Sequence, residues 1–222
     1  MRRFLCGLGV TFLGVLLLAG SAFAQRHNDR QHEPGKFDFY VLALSWSPSY
    51  CERNADRAPQ QCGARPFSFI VHGLWPQYEK GFPQNCVAQP PRLRREIMQS
   101  MLDIMPAPRL VFHEWDKHGV CTGLNGQEYF DLVRKAYGTV KIPAEYHDLQ
   151  RTLSVTPDEV EEAFVKANPG MTRGGIAVTC GGNRLSEVRV CMTRDLKFRD
   201  CHDVDRRSCP RDKLVMPPAR GG

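Results

Sequence analysis

The stretch FHEWDKHGVC, Phe112 to Cys121, places two histidines, a glutamate and a lysine within six consecutive positions. It differs from the zinc-protease pattern H-E-x-x-H because the second histidine follows the first by five residues instead of four. A helix turns by about 100° per residue, so the four side chains would share an arc of about 140°. These side chains are His113, Glu114, Lys117 and His118. The pattern therefore predicts a helix with one titratable face.

Three interpretations of this segment compete. A zinc site is disfavoured, because histidines five residues apart do not stack on one helix face and Lys117 would repel a dication. A solvated helix face is the usual meaning of such a charge run. Against that reading, Trp115 would be costly to expose, and Gly119 ends the helix beside Cys121, a residue expected to form a disulfide. The third interpretation is a catalytic site.

A further histidine stands in PFSFIVHGLW, residues 66–75. Phe67, Phe69 and Val71 would lie on one face and Ser68, Ile70 and His72 on the other, which predicts a strand. Gly73 and the following proline are expected to break this strand, so that His72 would lie at a rigid strand end.

The two histidine segments together indicate acid–base chemistry without a metal or cofactor. One imidazole can accept a proton while another donates one, and Lys117 offers positive charge for oxygens that become negative in a transition state. No serine or cysteine nucleophile stands beside them, and the chain lacks a G-x-S-x-G motif. The nucleophile is therefore expected to come from the substrate. RNA carries one in its ribose 2′-OH, which DNA lacks.

The N-terminus predicts export. Arg2 and Arg3 precede an apolar run, and Ala22-Phe23-Ala24 resembles a cleavage site, so residues 1–24 are predicted to be a signal peptide. The run is shorter than the roughly 20 residues of a membrane span, so no anchor is expected after cleavage. Eight of the nine cysteines remain, which predicts four disulfides in a periplasmic or extracellular protein. The count alone leaves the pairing open.

Residues 25–222 are predicted to form one α+β domain, with 25–35 and 217–222 flexible. A capping box at Thr156 predicts a helix that ends near residue 168. Two further helices are expected at 91–105 and 127–137, and strands at 37–46, 66–75, 175–180, 184–192 and 197–201. The net charge of +6 becomes +4 without the two arginines of the signal, which is compatible with a polyanionic partner without requiring one.

Both histidine segments resemble the active-site segments of the ribonuclease T2 family. FIVHGLWPQ, residues 69–77, matches the first segment, and FHEWDKHGVC matches the second, about 40 residues further on. LALSWSPSYC, residues 42–51, and the cysteine-rich C-terminal part also fit, so the resemblance covers nearly the whole mature chain. It implies an α+β fold with a central antiparallel sheet flanked by helices. It also implies cleavage of single-stranded RNA through 2′,3′-cyclic phosphates to 3′-phosphate ends.

The resemblance assigns roles position by position. His72 and His118 would be the acid–base pair, in an order that the sequence leaves open. His113 would contact the phosphate, and Glu114 and Lys117 would stabilise the charged transition state. The resemblance further implies four disulfides, namely Cys51–Cys62, Cys86–Cys121, Cys180–Cys209 and Cys191–Cys201.

The substrate base is expected to meet Trp75, Gln77 and Tyr78. Trp75 would support the site or a stacked base, and Tyr78 offers a flat ring for stacking. Phe82 is a further aromatic side chain for which simple packing is as good an explanation. Several family members carry aspartate where this chain has Gln77, so broad base tolerance is expected instead of adenine preference.

The resulting hypothesis is an exported, monomeric endoribonuclease that needs no cofactor. The alternative is an exported module that binds RNA or protein on the same scaffold and performs no chemistry. The intact set of His72, Glu114, Lys117 and His118 favours the enzyme, because decay of a catalytic site usually removes such residues first.

Overall fold

The most apolar stretches of the chain form the centre of a six-stranded sheet. The computed structural model describes residues 32–63 and 67–219. The strands are β1 (Phe39–Trp46), β2 (Phe69–Gln77), β3 (Leu153–Val155), β4 (Ile176–Gly181), β5 (Arg184–Met192) and β6 (Leu214–Met216). Four of them fall where the sequence predicts strands, whereas the three-residue strands β3 and β6 are too short to give a detectable period.

The sheet has the order β2-β1-β5-β6-β3, and β4 also pairs with β5. All pairings are antiparallel except that of β5 with β6, which meet in parallel at Arg184 and Val215. β1 lies between β2 and β5, and almost every one of its side chains is buried. Burial on both faces explains its nearly continuous apolar sequence, FYVLALSW. The predicted α+β class with a central, mainly antiparallel sheet is confirmed.

Seven helices accompany the sheet within the described residues. They are α1 (Ser47–Asn54), α2 (Pro59–Cys62), α3 (Arg95–Ser100), α4 (Pro108–Lys117), α5 (Gly126–Thr139), α6 (Pro157–Ala167) and α7 (His202–Asp205). The capping box at Thr156 forms both of its reciprocal hydrogen bonds with Glu159. A second capping box, between Asn125 and Glu128, starts α5 and was not anticipated.

Two predicted elements are wrong in extent. The helix expected at 91–105 is reduced to α3, because Pro90 and Pro91 favour extended backbone and the chain turns after Ser100. The strand expected at 197–201 reduces to one bridge between Met192 and Phe198. Leu196 has a φ of 64°, which breaks extended backbone just before that segment.

The sheet separates two apolar clusters. The larger one includes Leu42, Leu44 and Val71, and it packs under the helices. A smaller cluster on the opposite face contains Phe39, Val41 and their neighbours on β4 and β5. Trp75 packs against this smaller cluster, so the face that carries it is only partly filled by apolar side chains.

The four disulfides implied by the family resemblance are all present: Cys51–Cys62, Cys86–Cys121, Cys180–Cys209 and Cys191–Cys201. Cys86–Cys121 ties the segment after β2 to the segment after α4. The last two pairs crosslink the C-terminal part of the chain.

Both described chain ends are held by hydrogen bonds. The amide of Gly35 donates to the carbonyl of Cys121 at 2.9 Å, and the indole of Trp46 donates to the carbonyl of Pro217 at 3.1 Å. The flexibility expected for 25–35 and 217–222 stays a prediction. The predicted signal peptide, residues 1–24, lies outside the described residues. No helix between residues 32 and 219, leaving aside 64–66, is long and apolar enough for a bilayer crossing.

Candidate active site

β2 contains one extra residue where it runs beside β1. Ala43 pairs with Gly73 and Leu44 pairs with Val71, so His72 has no partner and forms a β-bulge. The strand continues to Gln77, and the expectation that His72 stands at a strand end is wrong. Glycine and proline do not break β2 because it is an edge strand, where a missing amide donor is tolerated.

The bulge changes which residues face the core. Before it, Phe69 and Val71 point into the large apolar cluster, and after it Leu74 does so. His72 and Trp75 consequently lie on the opposite face, where they line a cleft of about 320 Å³. A regular strand with strict alternation could not keep both sets of side chains on their faces.

His72 is held between two carboxylates. Its Nδ1 is hydrogen-bonded to Oε1 of Glu187, and its Nε2 lies 3.6 Å from Oε1 of Glu114. Glu187 is on β5, across β1 from His72, and the intervening residues Ala43 and Ser45 are small enough to let the two side chains meet. Burial alone would lower the pKa of His72, but the hydrogen bond and charge of Glu187, with the charge of Glu114, outweigh it and raise the pKa.

Glu187 has a cationic partner of its own. Arg189 donates to Oε2 of Glu187 from Nε at 3.0 Å and from Nη2 at 2.8 Å. Burial would raise the pKa of Glu187, but the hydrogen bond and charge of His72 and the charge of Arg189 lower it to about 2. The guanidinium carbon of Arg189 also lies 5.2 Å from the centre of the Trp75 ring.

Sequence reasoning missed Glu187 and Arg189, although their strand was predicted correctly. The signal was present in the pattern RLSEVRVCM of β5. Two opposite charges stand two positions apart, so they share one face of a strand in the sheet interior. Charges there are seldom buried unless they are paired or used.

Helix α4 delivers Glu114 to the cleft and anchors itself with Trp115. Both side chains are buried, and the indole of Trp115 donates to the carbonyl of Pro91 at 2.7 Å. Oε2 of Glu114 accepts a hydrogen bond of 2.6 Å from the indole of Trp75. Burial raises the pKa of Glu114 to about 7, against the opposing influence of His72 and of this hydrogen bond.

Gly73 makes room for the Trp75–Glu114 hydrogen bond. A Cβ atom at this position would lie 2.5 Å from Nε1 of Trp75 and closer still to Oε2 of Glu114. Real Cβ atoms do not approach neighbours so closely, so any side chain at 73 would displace the pair. The glycine next to the bulge is therefore a packing requirement of the site.

His118 has surroundings opposite to those of His72. It is the C-cap of α4, which ends at Lys117, and it is buried beside the rings of Trp75 at 5.4 Å and Phe82 at 6.2 Å. Its Nδ1 is buried and has no hydrogen-bond partner in the described part of the protein. Burial, reinforced by the charge of Lys117 and then of His113, lowers the pKa of His118 to about 3.

Several contacts fix the end of α4 against β2. The amide of Asn85 donates to the carbonyl of Lys117 at 2.8 Å, next to the disulfide Cys86–Cys121. The hydroxyl of Tyr129 on α5 donates to the carbonyl of Leu74 at 3.0 Å. The two segments that carry the histidines are thus bound together by covalent and polar contacts.

The cleft brings together seven of the eight predicted site residues. They are His72, Trp75, Gln77, His113, Glu114, Lys117 and His118. Tyr78 is not among its lining residues: it follows Gln77 on the opposite side of the chain and packs against the large core. Phe82, for which packing seemed an equal explanation, lines the cleft with 37% of its surface exposed.

Two arginines add positive charge to the cleft, whereas His113 favours its neutral form. His113 is exposed, and partial burial together with the charge of Lys117 lowers the pKa of its imidazole. Arg189 and Arg207 also line the cleft, and Arg207 pairs with Asp203. Across the described ranges, no three His, Cys, Asp or Glu side chains are grouped as around a metal ion. The arrangement can exchange protons and hold a phosphate.

Comparison with known proteins gives the family. Residues 37–201 match the Ribonuclease T2 family. A ribonuclease of Aeromonas hydrophila is 32% identical over 191 residues, which cover 84% of this chain and 84% of that protein. A protein of Haemophilus influenzae named "Probable ribonuclease" is 35% identical over 185 residues, which cover 77% of this chain and 63% of that protein.

Solved structures show the same fold. RNase NT in complex with 5′-AMP superposes with a TM-score of 0.58 at 25% identity, covering 82% of this chain and 99% of that one. The RNase-related protein from Calystegia sepium superposes with a TM-score of 0.67 at 20% identity, covering 85% of this chain and 100% of that one. The chain therefore belongs to the Ribonuclease T2 family. It is a T2-type endoribonuclease.

Proposed function

We propose that this ribonuclease cleaves single-stranded RNA by metal-independent transphosphorylation followed by hydrolysis. The observation that carries the proposal is that one cleft holds two histidines in opposite surroundings, His72 between two carboxylates and His118 among aromatic rings. These surroundings raise the pKa of His72 and lower that of His118 to about 3. The directions of these shifts favour the imidazolium form of His72 and the neutral imidazole form of His118. A proton donor and a proton acceptor are what cleavage at a 2′-OH requires.

In the first step His118 is the base and His72 is the acid. The neutral imidazole of His118 takes the proton of the 2′-OH, and the 2′-oxygen attacks the adjacent phosphorus. The bond from phosphorus to the 5′-oxygen breaks, and the imidazolium of His72 protonates that oxygen as it leaves. The products are a 2′,3′-cyclic phosphate and a free 5′-OH, so the two protons balance.

In the second step the roles reverse. His72, now neutral, takes a proton from water, and the hydroxide oxygen attacks the phosphorus of the cyclic phosphate. The bond from phosphorus to the 2′-oxygen breaks, and His118 returns its proton to that oxygen. A 3′-phosphate results, and both histidines regain their initial states. The contact with Glu187 keeps Nδ1 of His72 engaged throughout, which leaves Nε2 on the side of Glu114 for proton transfer.

The developing negative charge would be stabilised by cations of the cleft. Lys117 lines the cleft and has no carboxylate partner within residues 32–63 and 67–219, so its ammonium is available to a phosphate oxygen. His113 would contact the phosphate from the same helix face. Glu114 lies beside His72 and the indole of Trp75, where it would hold the acid in position.

Broad base tolerance is part of the proposal. The side-chain amide of Gln77 donates to the carbonyl of Pro76 at 2.9 Å, so one of its hydrogen-bond donors is already used. Phe82 and Trp75 offer ring faces, and stacking on a ring does not distinguish bases strongly. RNase NT has been solved in complex with 5′-AMP, which supports a nucleotide as a ligand of this protein as well.

Product analysis tests the chemistry directly. A dinucleoside phosphate should give a 2′,3′-cyclic phosphate first and a 3′-phosphate later, in the presence of EDTA as well as in its absence. The deoxyribose analogue should stay intact. Loss of activity with the chelator, or a 5′-phosphate product, would contradict the mechanism, and RNA that is bound but uncut would favour a binding module.

His118→Ala is the sharper active-site variant. Loss of the base should lower turnover by about 100- to 10,000-fold. The fold should be retained, because no hydrogen bond of a described side chain depends on His118. His72→Ala removes the cation shared by Glu187 and Glu114, so its loss of activity needs a thermal unfolding measurement beside it.

Export is also proposed. Four disulfides form in the described chain, and such crosslinks persist in oxidising compartments. Together with the predicted signal peptide at 1–24, they support a periplasmic or extracellular location. That the protein is a monomer stays a prediction. Detection of the cleaved N-terminus at Gln25 by mass spectrometry, and the size of the purified protein by light scattering, would test both points.

A further inference from the structure

A basic segment outside the cleft stands without partners. Arg92, Arg94 and Arg95 are exposed, and none of them forms an ion pair within residues 32–63 and 67–219. Arg94 and Arg95 stand at the start of α3, where the helix dipole disfavours cations, so helix stability does not explain them. Their charge is free for an external anion.

These arginines share a groove with an exposed aromatic ring. The groove has a volume of about 570 Å³ and is lined by Arg92, Arg94, Arg95 and Phe112, with Leu93 and Met98 among its apolar residues. Phe112 has 37% of its surface exposed, one of three large apolar side chains so exposed in the described protein. Glu96 is the single acidic residue that lines the groove.

The groove is adjacent to the cleft. Phe112 is followed directly on α4 by His113, which lines the cleft, and consecutive Cα atoms lie about 3.8 Å apart. The hydrogen bond from Trp115 to the carbonyl of Pro91 holds the start of the arginine segment against the same helix. A polymer that leaves the cleft past His113 therefore meets Phe112 and then the arginines.

We propose that this arginine groove, defined by Arg92, Arg94, Arg95 and Phe112, binds nucleotides of single-stranded RNA that lie beyond the two joined by the cleaved bond. The inference rests on the proposed function of the cleft. Guanidinium groups pair with phosphate oxygens, and an aromatic face stacks on any base. The groove thus favours long RNA over short substrates without adding sequence preference.

The test compares a long homopolymeric RNA with a dinucleoside phosphate, whose single phosphodiester fills only the cleft. For R92Q/R94Q/R95Q, kcat/KM on the polymer should fall. The slope of log(kcat/KM) against the logarithm of the salt concentration should become shallower by about 2, because fewer phosphates are neutralised. For Phe112→Ala, kcat/KM on the polymer should fall about fivefold or more. Both variants should cleave the dinucleoside phosphate at the rate of the parent.

A matched control carries the same change of charge elsewhere. R53Q/R57Q/R151Q changes three exposed arginines near α1 and the cavity beside it. Helix α1 follows the end of β1 that is remote from Trp75, so this variant should cleave the polymer at the rate of the parent. Equal losses in this control would indicate a net-charge effect and overturn the proposal.

Two other outcomes also overturn it. Unchanged polymer cleavage by both groove variants would mean that the arginine groove does not bind RNA and serves a different partner, such as an acidic protein. A parallel loss on the dinucleoside phosphate would mean that the groove acts through the cleft. Failure of the parent protein to cleave either substrate would instead contradict the proposed function of the cleft.

Discussion

His72 and His118 carry the same side chain in the same cleft, yet their neighbours differ in charge. His72 lies between Glu187 and Glu114, whereas His118 lies among aromatic rings and beside Lys117. The family resemblance could assign both histidines as an acid–base pair, but it left their order open. The order we propose depends on Glu187, which comes from a strand 115 residues further along the chain than His72.

Replacing Glu187 tests whether it sets the protonation of His72. Glu187→Gln removes the negative charge that helps to raise the pKa of His72, so that pKa falls. The alkaline limb of kcat/KM against pH should therefore move to lower pH, because His72 loses its proton earlier. The acid limb, set by His118, should stay in place.

A structural role alone would lower kcat/KM without moving either limb. Glu161→Gln is the matched control, because Glu161 is also a buried carboxylate but lies outside the cleft, where it accepts from the amide of Val178. An unmoved alkaline limb in Glu187→Gln would remove Glu187 from the mechanism.

Gly73→Ala tests the packing around Glu114. The added Cβ would displace the hydrogen bond between Trp75 and Glu114. A hydrogen bond to a charged group contributes roughly 1.5–3 kcal/mol, so kcat/KM should fall by about 10- to 100-fold. Gly138→Ala in α5 meets no neighbour within 4 Å and should leave kcat/KM unchanged, and equal rates for the two variants would refute the argument.

At the scale of elements, the site depends on how β2 and α4 are joined. The bulge in β2 turns His72 and Trp75 to the same face, and α4 presents Glu114 to them. The disulfide Cys86–Cys121 closes a loop of 35 residues between these elements. Cys51–Cys62 closes a loop of 11 residues next to α1, away from the cleft.

Removing each disulfide should separate stability from activity. The chain-entropy relation gives a loss in the free energy of unfolding of about 4 kcal/mol for C86A/C121A and about 3 kcal/mol for C51A/C62A. Only C86A/C121A should also lower kcat at temperatures where both variants are folded, because Cys121 closely follows His118. Urea unfolding and initial rates measure the two quantities, and similar kcat losses in both variants would contradict this role.

Sequence reasoning found the elements that have a strong local signal. The strands predicted at 37–46 and 184–192 and the helix predicted from the capping box at Thr156 are all present. The bulge was not predicted, because it depends on how β2 pairs with β1, and such a pairing leaves no local pattern in the sequence. The apolar positions do shift phase between Val71 and Leu74, and that shift beside Gly73 was a readable sign of an inserted residue.

At the scale of the whole molecule, two buried carboxylates of the cleft affect stability in adjacent pH ranges. The pKa of Glu187 is lowered from 4.5 to about 2, so its stabilisation is present above pH 4.5 and is lost as the pH falls toward 2. The pKa of Glu114 is raised from 4.5 to about 7, so stability is lost as the pH rises from 4.5 toward 7. Each range corresponds to about 3 kcal/mol.

The pKa of His118 is lowered from 6.5 to about 3, so its contribution is lost as the pH falls from 6.5 toward 3 and offsets the effect of Glu114 between pH 4.5 and 6.5. This part of the molecule should therefore be most stable in that range. Glu114→Gln cannot ionise, so the loss of unfolding free energy between pH 4.5 and about pH 8 should be smaller than in the parent by about 3 kcal/mol. Urea unfolding at both pH values measures it. The same loss in parent and variant would mean that Glu114 does not hold its proton in the folded protein.

The extra residue in β2 also affects how easily this enzyme could lose its activity during evolution. Val71 and Gly73 already pair with adjacent positions of β1, so in-frame loss of codon 72 would keep every remaining pair of this ladder. The shortened strand would alternate regularly, and all eight bridged cysteines would be untouched. A nuclease of this design is therefore one small deletion away from an inert scaffold of the same shape. Among its descendants, the spacing between Val71 and Gly73 would separate enzymes from such remnants better than overall likeness.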